Sequence, residues 1–172
     1  MYSYSVKPER KPAYISGTAC FSMGILLMLT GCFGQEKYTL IPQILALAFL
    51  ITAILITNRY LLTNYLYEIE EEKNSLSALP KLNIYASRSH NFGHQFYCLP
   101  MDQLYEIEAA PGKEKRKFHT INACGSMFPR EVYLIQYNCE GARQGIYLEC
   151  SADFAAAIKR YITLYGKKEA VE

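Results

Sequence analysis

Three side chains that commonly bind metal ions, His90, His94 and Cys98, recur at intervals of four residues. On an α-helix this spacing would place them on one face, where they could share a zinc ion. Gly93 and Pro100 instead favour a turn followed by a strand. Four residues of a strand span about 13 Å, which is too far for His94 and Cys98 to bind one ion. The sequence therefore predicts no metal site here.

The chain also lacks the common sequence signatures of catalysis. It contains no CxxC or HExxH pair, no Gly-x-Ser-x-Gly nucleophile motif and no glycine-rich phosphate loop. Its paired carboxylates, Glu68 with Glu70 and Glu106 with Glu108, have the spacing of a strand, which is more typical of a solvated face than of an acid–base site. We therefore predict that the protein is not an enzyme and has no cofactor, with a small membrane enzyme as the weaker alternative.

The densest cluster of charge is a short basic run, Lys113, Lys115, Arg116 and Lys117, which together with Glu114 carries a net charge of +3. In a domain held at a membrane, such a loop could bind anionic lipid headgroups, each cation contributing about 1 kcal/mol before screening by salt. Runs of charge are also typical of solvated linkers. Both interpretations of this loop remain open.

Charged residues are distributed very unevenly along the 172-residue chain, since residues 12–35 and 38–58 carry none. The net charge of +2, without a long basic stripe, argues against a nucleic-acid-binding protein. Six scattered cysteines, of which Cys20 and Cys32 lie in the apolar third, do not form the pattern of a secreted disulfide scaffold. The composition favours a membrane protein whose polar part lies in a reducing compartment.

Each uncharged run is long enough as a helix to cross about 30 Å of hydrocarbon. We predict a transmembrane hairpin of two helices over residues 12–59, with spans at about 13–33 and 39–58. The short connection between them requires both ends of the hairpin to lie on one side of the membrane. A soluble protein with a buried helical hairpin is the alternative, although two uncharged segments of this length are rare in soluble proteins.

Cations flank the hairpin at its outer ends, whereas the connection carries Lys37 beside Glu36. The positive-inside rule then places both termini in the cytoplasm, with residues 1–11 as a basic N-terminus. We accordingly expect a multi-pass protein of the plasma membrane. The flanking cations are Lys7, Arg10, Lys11 and Arg59.

The segment Leu29–Cys32 offers an alternative, in which the chain is cleaved before Cys32, because it resembles the cleavage motif of a bacterial lipoprotein. Cys32 would then become a lipidated N-terminus. A second apolar span begins about six residues later, where a mature lipoprotein would normally carry a polar tether. Lipidation of Cys32 is therefore the alternative.

Small residues recur every seven positions in both predicted spans: Gly17, Gly24 and Gly31 in the first, Ala46 and Ala53 in the second. This spacing places each set on one helix face, where another backbone can approach closely. The simpler interpretation is that the two helices pack against each other through these faces. The alternative is that the faces bring two copies of the chain together as a homo-oligomer.

Residues 60–172 show short alternating apolar runs separated by turn residues, which predicts a strand-rich domain. A C-terminal helix is predicted at about 152–165, with Ser151 as its N-cap and Gly166 at its end. Its apolar residues have helical spacing, so the helix should lie on a surface, most simply across the open end of the preceding sheet. The predicted strands lie at 62–70, 82–85, 95–99, 104–108, 131–137 and 145–149.

Three segments carry a resemblance to a known family: Arg59–Thr63 leading from the hairpin into a strand, Cys98–Ile107, and Leu148–Phe154 opening the last helix. They resemble bacterial membrane-anchored PH-like (pleckstrin-homology-like) proteins. The resemblance covers nearly the whole chain and implies a membrane-anchored α+β fold. That fold is a two-helix transmembrane hairpin followed by a PH-like antiparallel β-barrel closed by a C-terminal helix. It also implies a membrane or interaction module of the bacterial plasma membrane.

These observations combine into one functional expectation. The chain should be a non-enzymatic binding module held at the membrane by its two spans. Its partner would be either a protein bound at a sheet edge or the anionic inner-leaflet surface. Since the spans already anchor the chain, affinity for lipid is not needed for its location, which favours the protein partner. A subunit that self-associates through the glycine faces is the alternative.

Overall fold

The computed structural model describes residues 2–33, 40–71, 79–88, 95–110 and 118–166. The helices among them are α1 (Arg10–Phe33), α2 (Leu40–Ile56) and α3 (Ala152–Tyr165), with a π-helical segment Thr57–Leu62 and a 3₁₀ turn Met101–Gln103. The strands are β1 (Tyr2–Ser5), β2 (Asn64–Glu70), β3 (Lys81–Ser87), β4 (Gln95–Pro100), β5 (Leu104–Ala109), β6 (His119–Asn122), β7 (Val132–Cys139) and β8 (Ala142–Glu149). The chain is thus a mixture of helices and sheets.

The chain divides into two compact units. Residues 8–63 and 126–128 form the helical unit, while residues 1–7, 64–125 and 129–172 form the globular unit. In the helical unit, Glu9 N–H donates a hydrogen bond of 2.9 Å to Ser126 Oγ.

Two helices of the helical unit are long and apolar enough to cross a membrane, Arg10–Cys32 with a mean hydropathy of 1.6 and Leu40–Leu62 with 2.4. Only 17% and 11% of their most apolar 18-residue stretches are buried, whereas the core helix of a soluble protein would be mostly buried. Most of their large apolar side chains therefore have no protein contact that covers them. This exposure favours association with a membrane.

The globular unit contains two four-stranded sheets, in the orders β1-β2-β3-β4 and β5-β7-β8-β6. The predicted closed barrel is wrong, because no strand pairing joins the two sheets in the part of the chain that the structure describes. The consecutive strands β4 and β5 belong to different sheets, and the 3₁₀ turn Met101–Gln103 lies between them. The expectation of purely antiparallel pairing is also wrong, since β6 pairs with β8 in parallel.

Strand β1 was not predicted from the sequence. It pairs antiparallel with β2, with Tyr2 opposite Ile69 and Ser5 opposite Leu66. Val6 N–H continues this ladder with a hydrogen bond of 3.1 Å to Tyr65 O. The chain thus leaves the globular unit after β1 and returns at the neighbouring strand β2, so the helical hairpin is an insertion between two adjacent strands.

The remaining strands agree with the alternation in the sequence. In β2, Tyr65, Tyr67 and Ile69 are buried while Glu70 is exposed, as the period of two predicts. The six predicted strands are confirmed with boundaries that differ by at most three residues, as β2, β3, β4, β5, β7 and β8. Strand β6 lies just after the basic loop and was not predicted.

Helix α3 is confirmed with both of its predicted ends. Ser151 Oγ accepts a hydrogen bond of 3.4 Å from Phe154 N–H, and Gly166 N–H donates one of 2.7 Å to Ile162 O. A Cβ atom at position 166 would lie 2.5 Å from Ile162 O, which is why glycine ends this helix. The inner face of α3 contributes Phe154, Ala155 and Ile158 to the core of the globular unit.

Tyr67 contributes a buried hydroxyl group to that core. Its hydroxyl donates a hydrogen bond of 2.8 Å to Ala123 O and accepts one of 3.3 Å from Glu149 N–H. Burial raises the pKa of Tyr67 well above its usual range, so the hydroxyl stays protonated and keeps its role as donor. Because Glu149 ends β8, one side chain of the first sheet is tied to the backbone of the second.

Candidate functional site: an open groove beside strand β1

A groove of ≈ 470 Å³ lies in the globular unit between β1 and the outer face of α3. We call it the β1–α3 groove. Tyr2 lines it on the side of the strand, while Tyr161, Leu164 and Tyr165 line it on the side of the helix. Leu164 is 74% exposed and Tyr2 57%, so the groove presents large apolar surfaces to solvent.

The spacing of side chains along β1 and α3 explains why the groove forms. Tyr2 and Tyr4 lie on the same face of β1, because side chains two residues apart share a face. Tyr4 packs inward against Tyr67 and Phe154, with ring centroids 6.2 Å and 5.4 Å away. Tyr2 lies beyond the core and lines the groove instead. On α3, the rings of Tyr161 and Tyr165 are stacked with centroids 6.3 Å apart.

Strand β1 has an open edge. Hydrogen bonding alternates along an antiparallel strand, and Val6 N–H bonds towards β2, so the N–H and C=O groups of Ser3 and Ser5 point away from β2. Among the described residues, β1 pairs with no strand other than β2. Edge strands are usually protected by charged residues, proline or a bulge, and the sequence of β1 has none of these. The edge is therefore able to accept another strand.

Charged side chains lie at the rim of the groove: Glu71, Asp153 and Arg160. The Tyr161 hydroxyl donates a hydrogen bond to the Glu71 carboxylate. This bond, with burial, raises the pKa of Tyr161 to about 12, so the phenol is neutral throughout the physiological range. Among the described residues that line the groove, the two carboxylates outnumber the single guanidinium, which gives this part of the lining a net negative charge.

Compared with known proteins, the chain matches no family model, no curated protein and no solved structure. The geometry of the described residues therefore carries the functional argument.

Two glycines of α1 lie beside α2 and the segment that follows it, since a Cβ atom at position 17 would contact Ile56 and Thr57 and one at position 24 would contact Leu50. Gly17, Gly24, Gly31, Ala46 and Ala53 are all buried. A Cβ atom at position 24 would lie 2.9 Å from Leu50 Cγ and 3.3 Å from Ala46 O, whereas at position 17 its nearest contacts would be at 3.7 Å. The close approach of the two helices thus depends on glycine at position 24.

Several residues singled out in the sequence lie outside the described residues. They include the basic cluster Lys113, Lys115, Arg116 and Lys117, together with His90 and His94. Binding of anionic headgroups by the basic cluster thus stays a prediction. Cys98 is exposed on β4 and Cys32 is exposed on the last turn of α1, where its lipidation also stays a prediction.

Two observations concern metal and thiol chemistry in the part of the chain that the structure describes. In that part, no group of three or more His, Cys, Asp or Glu side chains is arranged to hold a metal ion. Cys150 is buried, and burial together with the nearby Glu131 carboxylate raises the pKa of its thiol to about 12. The thiol is therefore protonated, and unreactive as a nucleophile, at neutral pH.

Sequence reasoning did not predict that Tyr2 and Glu71 take part in the candidate site. The alternation Tyr2-Ser3-Tyr4-Ser5 was an available signal for a strand, since it combines a period of two with a β-favouring residue. Nothing in the sequence shows that this strand lies beside α3, because that neighbourhood arises from pairing between residues more than sixty positions apart.

Proposed function

We propose that this chain is a non-enzymatic, membrane-tethered PH-like binding module that takes up an extended segment of a protein partner in the β1–α3 groove. The observation that carries the proposal is the juxtaposition of an unprotected sheet edge with an exposed aromatic and apolar helix face. The two sheets followed by a packed C-terminal helix support the PH-like part of the proposal.

Each wall of the groove has a role in this binding. The outward N–H and C=O groups of Ser3 and Ser5 would pair with the backbone of the partner, as in other complexes formed by strand addition. Alternate side chains of the partner would then lie on Tyr2, Leu164 and Tyr165, because side chains of a strand alternate between its faces. The main-chain bonds provide affinity, and the side-chain contacts provide specificity.

The charge of the groove indicates the chemistry of the partner segment. Of the lining residues that the structure describes, Glu71 and Asp153 are acidic and Arg160 alone is basic. A basic side chain on the incoming strand would improve this balance, whereas an acidic one would be repelled. We therefore propose an uncharged or basic segment in which apolar residues alternate with polar ones.

Substitutions of Ser3 test this mode of binding. Its N–H faces away from β2, so Ser3→Pro should leave the β1–β2 ladder intact while removing a donor that the partner needs. The matched control Ser3→Ala keeps the N–H. We expect peptides of about eight residues, selected from a random displayed library on the full chain in detergent, to bind Ser3→Pro about tenfold more weakly than Ser3→Ala.

The exposed end of α3 provides a second pair of variants. Leu164→Glu places a charge in the groove, while Leu79→Glu changes a leucine that is 42% exposed and does not line the groove. Leu164→Glu should abolish selection of the alternating peptides, and Leu79→Glu should not. Equal binding by Ser3→Pro and Ser3→Ala, or selection of acidic peptides, would contradict the proposal.

We further propose that the module is held at a bacterial plasma membrane by α1 and α2, with both termini in the cytoplasm. The cations Lys7, Arg10, Lys11 and Arg59 at the outer ends of the helices support this orientation. The insertion of the helices between the paired antiparallel strands β1 and β2 supports only the placement of both ends of the hairpin on the same side of the membrane, because Ser5 at the end of β1 lies opposite Leu66 near the start of β2.

Reporter fusions test this topology. Alkaline phosphatase is active outside the cytoplasm, so a fusion after Gly34 should be active and a fusion after Gly166 inactive. Green fluorescent protein fused at the same two positions is the control with the opposite response: the fusion after Gly166 should fluoresce and the fusion after Gly34 should not. Activity of phosphatase after Gly166 would show that the globular unit lies on the outer side, and the proposed location would be wrong.

A further inference from the structure

A short loop between β6 and β7 belongs to the helical unit rather than to the globular unit. The chain leaves the globular unit after Gly125 and returns to it at Pro129, and residues 126–128 group with the two long helices. Ser126 is buried, and its Oγ accepts the hydrogen bond of 2.9 Å from Glu9 N–H. This bond fixes the loop beside the residue that precedes α1. We call residues 126–128 the helix-end loop.

Phe128, the last residue of the helix-end loop, carries a large apolar side chain that is mostly uncovered by protein. It is 65% exposed, as much as Tyr14 early in α1, which is 64% exposed. Single exposed apolar residues are common on soluble proteins, so the exposure alone decides nothing. Its place in the helical unit distinguishes Phe128, because that unit contains the two candidate membrane spans.

The start of α1 sets the level of the loop relative to the uncharged run of the first span. That run begins at residue 12, three residues after Glu9, and three residues correspond to a rise of about 5 Å along a helix. Phe128 follows Ser126 by two residues, so their Cα atoms lie within about 7 Å of each other. The headgroup layer on each side of a bilayer is about 5–8 Å thick. The ring of Phe128 is therefore within reach of the boundary between headgroups and acyl chains.

We propose that Phe128 inserts into the interfacial layer of the membrane that α1 and α2 cross, as a third attachment of the chain to lipid. The inference rests on the proposed membrane location of these helices and is independent of the β1–α3 groove. An aromatic ring exposed to water is stabilised by transfer to an apolar environment, and phenylalanine is typical of segments that lie at this boundary. The contact is apolar, so it does not require the anionic headgroups that the basic cluster would bind.

Tryptophan fluorescence tests the insertion directly, since the chain contains no tryptophan and Phe128→Trp introduces a single reporter. The full chain is reconstituted into phosphatidylcholine vesicles whose acyl chains carry bromine, a contact quencher, either near the headgroup or near the chain end. Phosphatidylcholine has no net charge, which removes electrostatic binding as an explanation. Tyr14→Trp is the reference inside the first span. Phe96→Trp, at a position on β4 that is 44% exposed, is the matched control in the globular unit.

We expect Phe128→Trp to emit at a shorter wavelength than Phe96→Trp in these vesicles. Its emission should be mostly lost when the bromine lies near the headgroup, and lost to a smaller extent when the bromine lies near the chain end. Tyr14→Trp should also be quenched, because α1 lies in lipid. Phe96→Trp should keep its emission in both kinds of vesicle. Replacement of one exposed aromatic ring by another is expected to leave the fold unchanged.

The reference variant separates failure of this inference from failure of the membrane location. Quenching of Tyr14→Trp without quenching of Phe128→Trp would overturn the inference and leave the location intact. If neither variant were quenched, both would be wrong. Short-wavelength emission from Phe128→Trp without quenching would show that protein, such as a second copy of the chain, covers the ring instead of lipid. Equal quenching of Phe96→Trp and Phe128→Trp would show that the contact is not specific to the helix-end loop, and it would also overturn the inference.

Discussion

Replacing Tyr67 by phenylalanine is expected to lower the free energy of unfolding of the chain by about 1–3 kcal/mol. The substitution keeps the ring, which packs beside Tyr4 and Phe154, and removes the hydroxyl alone. Ala123 O then loses its donor and Glu149 N–H loses its acceptor inside the core. Denaturant unfolding of the full chain in detergent, followed by near-ultraviolet circular dichroism, measures the difference.

Tyr133→Phe is the matched control for this measurement. Tyr133 packs against the same core and is partly buried, so its replacement also removes one hydroxyl from the globular unit. We expect a change within about 0.5 kcal/mol, as for substitutions that break no buried bond. If the two variants were equally stable, the Tyr67 hydroxyl would not tie the two sheets together as the structure indicates.

The second large effect is expected at Gly24, where α1 lies tightly against α2. Gly24→Leu places a side chain where even a Cβ atom would lie 2.9 Å from Leu50 Cγ. Since Ala46 O, a backbone atom, limits the space at 3.3 Å, the helices must separate. We expect a loss of about 1–3 kcal/mol in the stability of the helical unit, as in other overpacked contacts.

Ala19→Leu makes a comparable change on the exposed face of α1 and should leave the helix pair unchanged. The distance between spin labels on the two helices, measured in detergent by electron resonance, reports their separation directly. An unchanged distance in Gly24→Leu would show that the glycine is not needed for the packing of α1 on α2.

Much of the fold could be predicted from local patterns in the sequence. The uncharged runs predicted both long helices, and the combination of Ser151, Gly166 and apolar residues at helical spacing predicted α3 with its ends. These signals are local, because capping and periodicity depend on neighbours within a few residues. Six strands were predicted for the same reason.

The arrangement of the strands could not be predicted in this way. Strand β1 is four residues long and pairs with a segment that follows the whole helical hairpin, so no local signal reports its partner. The parallel pairing of β6 with β8 and the division into two sheets are likewise non-local. The β1–α3 groove is a product of this pairing, which is why the sequence indicated binding at a sheet edge without indicating which edge.

Hydrogen exchange at the edge of β1 tests the central claim most directly. The amide protons of Ser3 and Ser5 face away from β2, and they should exchange rapidly in the free protein. When a peptide selected on the full chain is bound, the account predicts that these two amides become protected, together with shifts of the Tyr2 and Tyr165 ring resonances. Protection confined to another strand, or binding that leaves Ser3 and Ser5 exchanging at the same rate, would contradict it.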